Sequence, residues 1–220
     1  SRLQQKEYGA PVIVADILTA RGVSASEAGD FIGADCEPED PLLLPDMDKA
    51  VARIEQALAD GEKITVYGDY DCDGVTATVI LYQYLQSMGA NAAWYIPERL
   101  DEGYGLNCAA LDAIRADGTS LLITVDNGIS AIEEAAHAAD IGLELIITDH
   151  HQVGRELPGA VAVVNPHRSD CRCTFRDLCG AGVAFKLVAA MEGDYEMAPD
   201  ASGALAAIAT VGDIVPLTGE

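Results

Sequence analysis

Five aspartates and two histidines stand at spacings that could do metal chemistry. Asp69, Asp71 and Asp73 alternate through Gly68-Asp69-Tyr70-Asp71-Cys72-Asp73-Gly74, Asp126 opens Asp126-Asn127-Gly128, and Asp149 is followed by His150 and His151. Carboxylates crowded together repel and raise one another's pKa, and a divalent cation removes that cost. Mixed carboxylate and imidazole donors suit Mn²⁺, Fe²⁺ or Zn²⁺, whereas an all-oxygen set suits Mg²⁺ or Ca²⁺. More carboxylates than one ion needs points to two ions sharing a bridging carboxylate. Such pairs, about 3.5–4 Å apart, activate a water and clamp a phosphate.

These groups can act together only if the fold gathers them. ITVYG (64–68), AAWYIP (92–97), LLITV (121–125), LELIIT (143–148) and AVAVV (160–164) are short apolar runs that read as strands. Between them, VTATVILYQYLQSMG (75–89), LNCAALDAIRADG (106–118) and SAIEEAAHAA (130–139) read as helices, and 181–191 and 203–212 follow as two more. Alternation of this kind predicts an α/β, doubly wound, mostly parallel sheet covered on both faces. Each polar cluster comes directly after a strand, including Asn165-Pro166-His167-Arg168 after the last one. In a parallel sheet all strand C-termini share one edge, where ligand crevices form. The clusters are therefore predicted to converge.

Ahead of the sheet, residues 11–60 read as a small helical extension. Gly22 closes its first helix, Ser24 and Glu27 form a capping box, and the proline-punctuated stretch 38–46 is a linker. An amphipathic helix over 48–59 ends at Asp60-Gly61. The expected division is an extension with linker over 1–60 and a catalytic domain over 61–220.

Blander readings compete with each motif. Asp-x-Asp-x-Asp-Gly also opens a calcium-binding EF-hand loop, but the twelfth position of that loop, a Glu, is Ile80 here, and the motif follows a strand. One acidic turn alone is commonly a helix cap, Asp-Asn-Gly is commonly a turn, and adjacent histidines are commonly surface residues. Their joint placement at strand ends favours the metal reading. His137 lies mid-helix and reads as structural. Cys171, Cys173 and Cys179 with His167 lack standard zinc spacing and read as buried thiols. Gly180 and Gly182 read as helix-packing residues, with a phosphate at the helix N-terminus as the weaker option.

Composition narrows the class. The chain has 220 residues, half of them hydrophobic, with 13 Lys and Arg against 36 Asp and Glu, a formal net charge of −23. This excludes wholesale disorder and a strongly nucleic-acid-binding surface, which needs the opposite sign. The one stretch that is not acidic is 149–186, with five basic residues against four acids. No apolar run reaches the roughly 18 residues of a membrane helix, and the N-terminus shows no signal-peptide core. The six scattered cysteines read as reduced thiols, and the expected location is cytoplasmic.

GDYDCDG, VDNG, TDHH and VGDIVPL, in this order, resemble the four motifs of the DHH phosphoesterase superfamily. The flanking PLLLPDMDKAVARI, IPERLDEGYGLN, VVNPHR and LCGAGVAFKL narrow the resemblance to its single-stranded-DNA exonuclease branch, from about residue 10 to the end. Superfamily members acting on pyrophosphate or cyclic dinucleotides carry a histidine four residues before the Asp-x-Asp pair. Tyr67 stands there in this chain, with Asp69 added.

The resemblance implies two Mn²⁺ ions, with Mg²⁺ as the alternative. It implies Asp69, Asp71, Asp73, Asp126, His150 and Asp213 as ligands, Asp126 bridging. His151 would touch the scissile phosphate, and Asp149 would orient a histidine. Arg99 would hold the 5′ end of the strand, and Asn165, His167 and Arg168 are weaker phosphate contacts. Asp213 comes from the resemblance alone, because by itself it reads as a helix C-cap. The implied activity is 5′-to-3′ hydrolysis of single-stranded DNA in repair and recombination, with a helicase and a single-strand-binding protein as partners. The chain is expected to be the catalytic portion, with DHHA1-type and OB-like domains, and the basic strand-binding surface, outside it. The alternatives are a phosphodiesterase acting on short oligonucleotides or dinucleotides, and a non-catalytic scaffold.

Overall fold

The computed structural model describes residues 7–32, 38–98, 105–217 and 219. It divides into two compact units, Ser1–Pro38 with Thr218–Glu220, and Glu39–Leu217. The first carries helices α1 (Val12–Ala20) and α2 (Ala28–Ile32). Gly22 follows α1 with φ +79°, a conformation that glycine adopts at no steric cost. The Ser24 amide donates to Glu27 Oε2 at 2.9 Å, which is the reciprocal half of the expected capping box.

The second unit is a five-stranded sheet with helices on both faces. Its strands are β1 (Lys63–Tyr67), β2 (Asn91–Tyr95), β3 (Leu121–Val125), β4 (Glu144–Thr148) and β5 (Ala162–Val164). They lie in the order β2-β1-β3-β4-β5, every neighbouring pair parallel. The helices are α3 (Met47–Asp60), α4 (Cys72–Ser87), α5 (Cys108–Ala116), α6 (Ile132–Asp140), α7 (Gly180–Glu192) and α8 (Asp200–Gly212).

The period of two along each strand divides the core. Ile64, Val66, Leu121, Ile123, Val125 and Ile146 point into one layer with residues of α3, α4, α7 and α8. Tyr67, Leu122, Leu145, Ile147 and Val163 point into the other, against α5 and α6. All five β3 residues are buried, as a strand covered on both faces requires. Helix α3 buries Met47, Ala50, Ile54 and Ala57 in the first layer, so it belongs to the sheet-containing unit.

Helix α4 begins earlier than the apolar pattern suggests. Asp71 is its N-cap, with Oδ1 accepting from the Gly74 amide at 2.9 Å, so Asp73 lies in the first helical turn. Winding reverses between β1 and β3: α4 packs on one face after β1, and α6 on the other after β3. The crevice outside that switch point is where the polar motifs come out. Among the described residues, no helix is long and apolar enough to cross a membrane.

Candidate metal centre

The turn after β1 is tight because two glycines allow it. A Cβ on Gly68 would strike Thr78 Oγ1, and one on Gly74 would lie 2.6 Å from both Cβ and N of Asp69. Asp69 is 1% exposed, and its Oδ1 accepts from the Tyr70 amide at 2.8 Å. After β3, Asp126 takes a left-handed backbone, φ +63°, uncommon for a residue with a side chain. Such conformations gather at functional sites, where the surroundings hold them.

His150, after β4, lies between three carboxylates from three other elements. Its Nε2 is 3.1 Å from Asp126 Oδ1, 3.6 Å from Asp73 Oδ2 and 3.8 Å from Asp213 Oδ2. Asp149 is the brace of this loop. Its Oδ1 accepts from the His150 and His151 amides at 2.7 and 3.0 Å and faces His151 Nδ1 at 2.7 Å, while its Oδ2 accepts from the Ile129 amide at 2.8 Å. Asn165 supports it from behind, donating from Nδ2 to the His151 carbonyl at 3.0 Å.

The electrostatics are those of a site with too much negative charge. Burial pushes the Asp126 carboxyl up to about 7, with Asp73 adding repulsion and the His150 hydrogen bond opposing. Burial alone would lower His150, yet its bond to Asp126 and the charges of Asp73 and Asp213 push it up to about 9. Burial also raises Asp213. Asp149 goes the other way: burial would raise it, but the hydrogen bonds from His151 and the amides hold it below its usual range. His151 is raised by that bond in return.

Three groups of donors have ligand atoms within 4.8 Å of one another: Asp69, Asp71 and Asp126; Asp73, His150 and Asp213; and Asp126, His150 and His151. Among the described residues, Asp126 is the only carboxylate in two of these groups. One group is all oxygen and the others mix oxygen with imidazole, a set that fits hard to borderline divalent cations. The six residues expected as ligands, Asp69, Asp71, Asp73, Asp126, His150 and Asp213, therefore come together, with His151 beside them.

Other candidates go elsewhere. Asp149 belongs to none of the groups, and both of its oxygens brace the loop, which is the histidine-orienting place expected of it. Asn165 is fully buried, its Oδ1 accepting from the His167 amide, so it shapes the loop rather than facing the crevice. Arg168 does not join the cluster: its guanidinium is held by Asp46, Asp170 and the Val163 carbonyl. His167 is half-buried, and burial together with the charge of His150 lowers its pKa. Arg99 lies outside the described residues. Cys171, Cys173 and Cys179 are buried free thiols and form no metal group with His167 among the described residues. His137 pairs with Asp112 on the surface.

Asp213 is the residue that spacing alone misses. It is the C-cap of α8, as its position suggests, and it faces His150 as well. No local pattern announces it, since its approach depends on α8 packing beside α4 and α7.

A parallel sheet that gathers carboxylates and histidines at its switch point is the arrangement of a phosphoesterase domain of the DHH type, with a candidate metal cluster. The N-terminal domain of the DHH family matches residues 63–212, and the chain belongs to that family. It is 45% identical, over 94% of its length, to the single-stranded-DNA-specific exonuclease RecJ of Bacillus subtilis, and covers 26% of that protein. Over 79% of its length it is 38% identical to the Escherichia coli RecJ, covering 32% of it. Among solved structures, RecJ from Thermus thermophilus in complex with Mn²⁺ matches 99% of the chain with TM-score 0.74 at 30% identity, the match covering 31% of that structure. The chain thus spans about a quarter to a third of these relatives.

Proposed function

We propose that this domain hydrolyses phosphodiester bonds with two divalent ions, Mn²⁺ or Mg²⁺, and acts as a 5′-to-3′ exonuclease on single-stranded DNA in repair and recombination. The observation that supports this most is the convergence of Asp69, Asp71, Asp73, Asp126, His150 and Asp213 around His150 and Asp126, in a chain homologous to RecJ.

Asp69, Asp71 and Asp126 would hold one ion and Asp73, His150 and Asp213 the other, with Asp126 between them. Bound ions supply Lewis acidity and an activated water for attack on the phosphate. The chain's own residues do the rest. Asp149 fixes the His151 ring through Nδ1 and keeps it protonated more readily than a free histidine. That makes His151 a hydrogen-bond donor to a phosphate oxygen. Arg99 and His167 are the proposed strand contacts, a helicase and a single-strand-binding protein the proposed partners, and the cytoplasm the proposed location. Proposed DHHA1-type and OB-like domains, of the kind the resemblance implies, would close the crevice and carry the strand.

The test is a calorimetric titration of Mn²⁺ into metal-free protein, with a long 5′-phosphorylated strand and a dinucleotide assayed on the same samples. Two ions bound, with cleavage of the long strand, supports the exonuclease. Cleavage of the dinucleotide alone favours the small-substrate reading. Two ions without cleavage mark a site that waits for its remaining domains. No binding overturns the metal centre.

A further inference from the structure

The amides of residues 180–183, at the start of α7, are all taken. The Gly180 and Ala181 amides donate to Asp73, at 2.6 Å to Oδ2 and 2.7 Å to Oδ1. The Gly182 amide donates to Cys179 Sγ at 3.3 Å, and the Val183 amide to the Cys179 carbonyl at 3.0 Å. One carboxylate thus takes the first two amides of a thirteen-residue helix, where the helix dipole favours an anion.

The same turn presses on a second carboxylate. A Cβ on Gly180 would lie 2.5 Å from Asp126 Cβ, 2.7 Å from its Oδ1 and 2.8 Å from its Cα. Real Cβ atoms do not approach so closely, so any side chain at 180 displaces Asp126 or the helix. Gly182, two residues on, is different: its nearest atoms are 3.6 Å away, an ordinary contact.

We infer that the first turn of α7 sets the spacing of the metal centre, its amides fixing Asp73 and the bare Cα of Gly180 seating Asp126, so that Gly180 is a positioning residue for both ion sites. Among the described residues, Asp126 and Asp73 are the two carboxylates paired most closely with His150 Nε2, at 3.1 and 3.6 Å. With both seated against one rigid turn, their separation is held by the helix rather than by loops. The inference rests on the two-ion reading above.

The experiment compares the full chain with Gly180→Ala and Gly182→Ala. Alanine is the better helix former, so propensity favours both changes. Circular dichroism of the metal-free proteins reads the fold, and calorimetry reads Mn²⁺ affinity and stoichiometry. The expected result is an intact fold in all three, with Gly180→Ala binding Mn²⁺ at least about tenfold more weakly, the scale at which supporting residues act on metal affinity. Gly182→Ala should match the parent. Equal affinity in all three overturns the inference, and no binding by the parent overturns the two-ion reading instead. Should Gly180→Ala fail to fold, amide NMR of the parent decides: Mg²⁺ should shift the Gly180 and Ala181 amide resonances well beyond that of Gly182. Unmoved resonances overturn the inference.

Discussion

Asp149 and His151 form a brace in which one carboxylate oxygen meets the imidazole Nδ1 at 2.7 Å while the other holds the Ile129 amide at 2.8 Å. The pair ties the loop after β4 to the turn after β3, and so fixes two of the segments that carry candidate ligands to each other. Four donors point at two oxygens, which an amide cannot satisfy. Asp149→Asn should therefore cost about 1–3 kcal/mol of stability in thermal or urea unfolding. The hydrogen bond that His151 donates to Asp149 is what raises His151, so the His151 titration followed by NMR in metal-free protein should move to lower pH. An unmoved titration would show that the bond does not form in solution.

Asp126 combines a left-handed backbone with a buried carboxyl pushed up to about 7. Asparagine tolerates that backbone region and carries no charge to bury. Asp126→Asn should lose Mn²⁺ binding while its metal-free melting temperature equals or exceeds that of the parent. Asp126→Ala should also abolish activity with little loss of fold. Metal-dependent turnover retained in that variant would remove the bridging role.

Acid should release a clamp that takes no part in the donor cluster. Burial alone would raise the Asp46 carboxyl, but hydrogen bonds from Lys49, Arg168 and the Val163 amide hold it below its usual 3.8. A depressed carboxyl pKa contributes stability above the unfolded value and loses it as pH falls through the folded one. Urea unfolding between about pH 3 and 6 should show this loss at the acid end. Asp46→Asn should flatten the slope and weaken the protein at neutral pH, where Arg168, 9% exposed, is left with one fewer anionic partner.

Ile214 is a branched residue in a left-handed conformation, φ +58°, just past α8. Its amide donates to the Val211 carbonyl, and the Val215 amide donates to that of Thr210, the turn that usually ends a helix on glycine. The side chain is 87% exposed and contributes little packing. Left-handed geometry costs about 1–2 kcal/mol, against about 0.5–1 for the added freedom of glycine. Ile214→Gly should raise the melting temperature slightly, and a fall would mean that Ile214 is packed in solution.

The residues that can be read from the sequence are those whose neighbours along the chain define their place. Asp126 and His150 follow apolar strands directly, so the parallel sheet itself delivers them to one edge. Asp213 follows a helix and depends on how that helix packs, which no local period encodes. Arg168 follows a strand, like the ligands, and on that ground groups with the phosphate contacts. Its charge instead meets Asp46, 122 positions away, at a helix start. The glycines at 180 and 182 look alike in sequence, and only the approach of Asp126 separates them.

The order of the ligands along the chain sets a clock. At roughly 5–20 residues per second of synthesis, the about 140 residues from Asp69 to Asp213 take on the order of 7 to 30 seconds to emerge. Through that interval the early carboxylates exist without the histidine and the final aspartate that face them. Ion capture at the proposed two-ion site would thus be deferred until α8 has been made and docked.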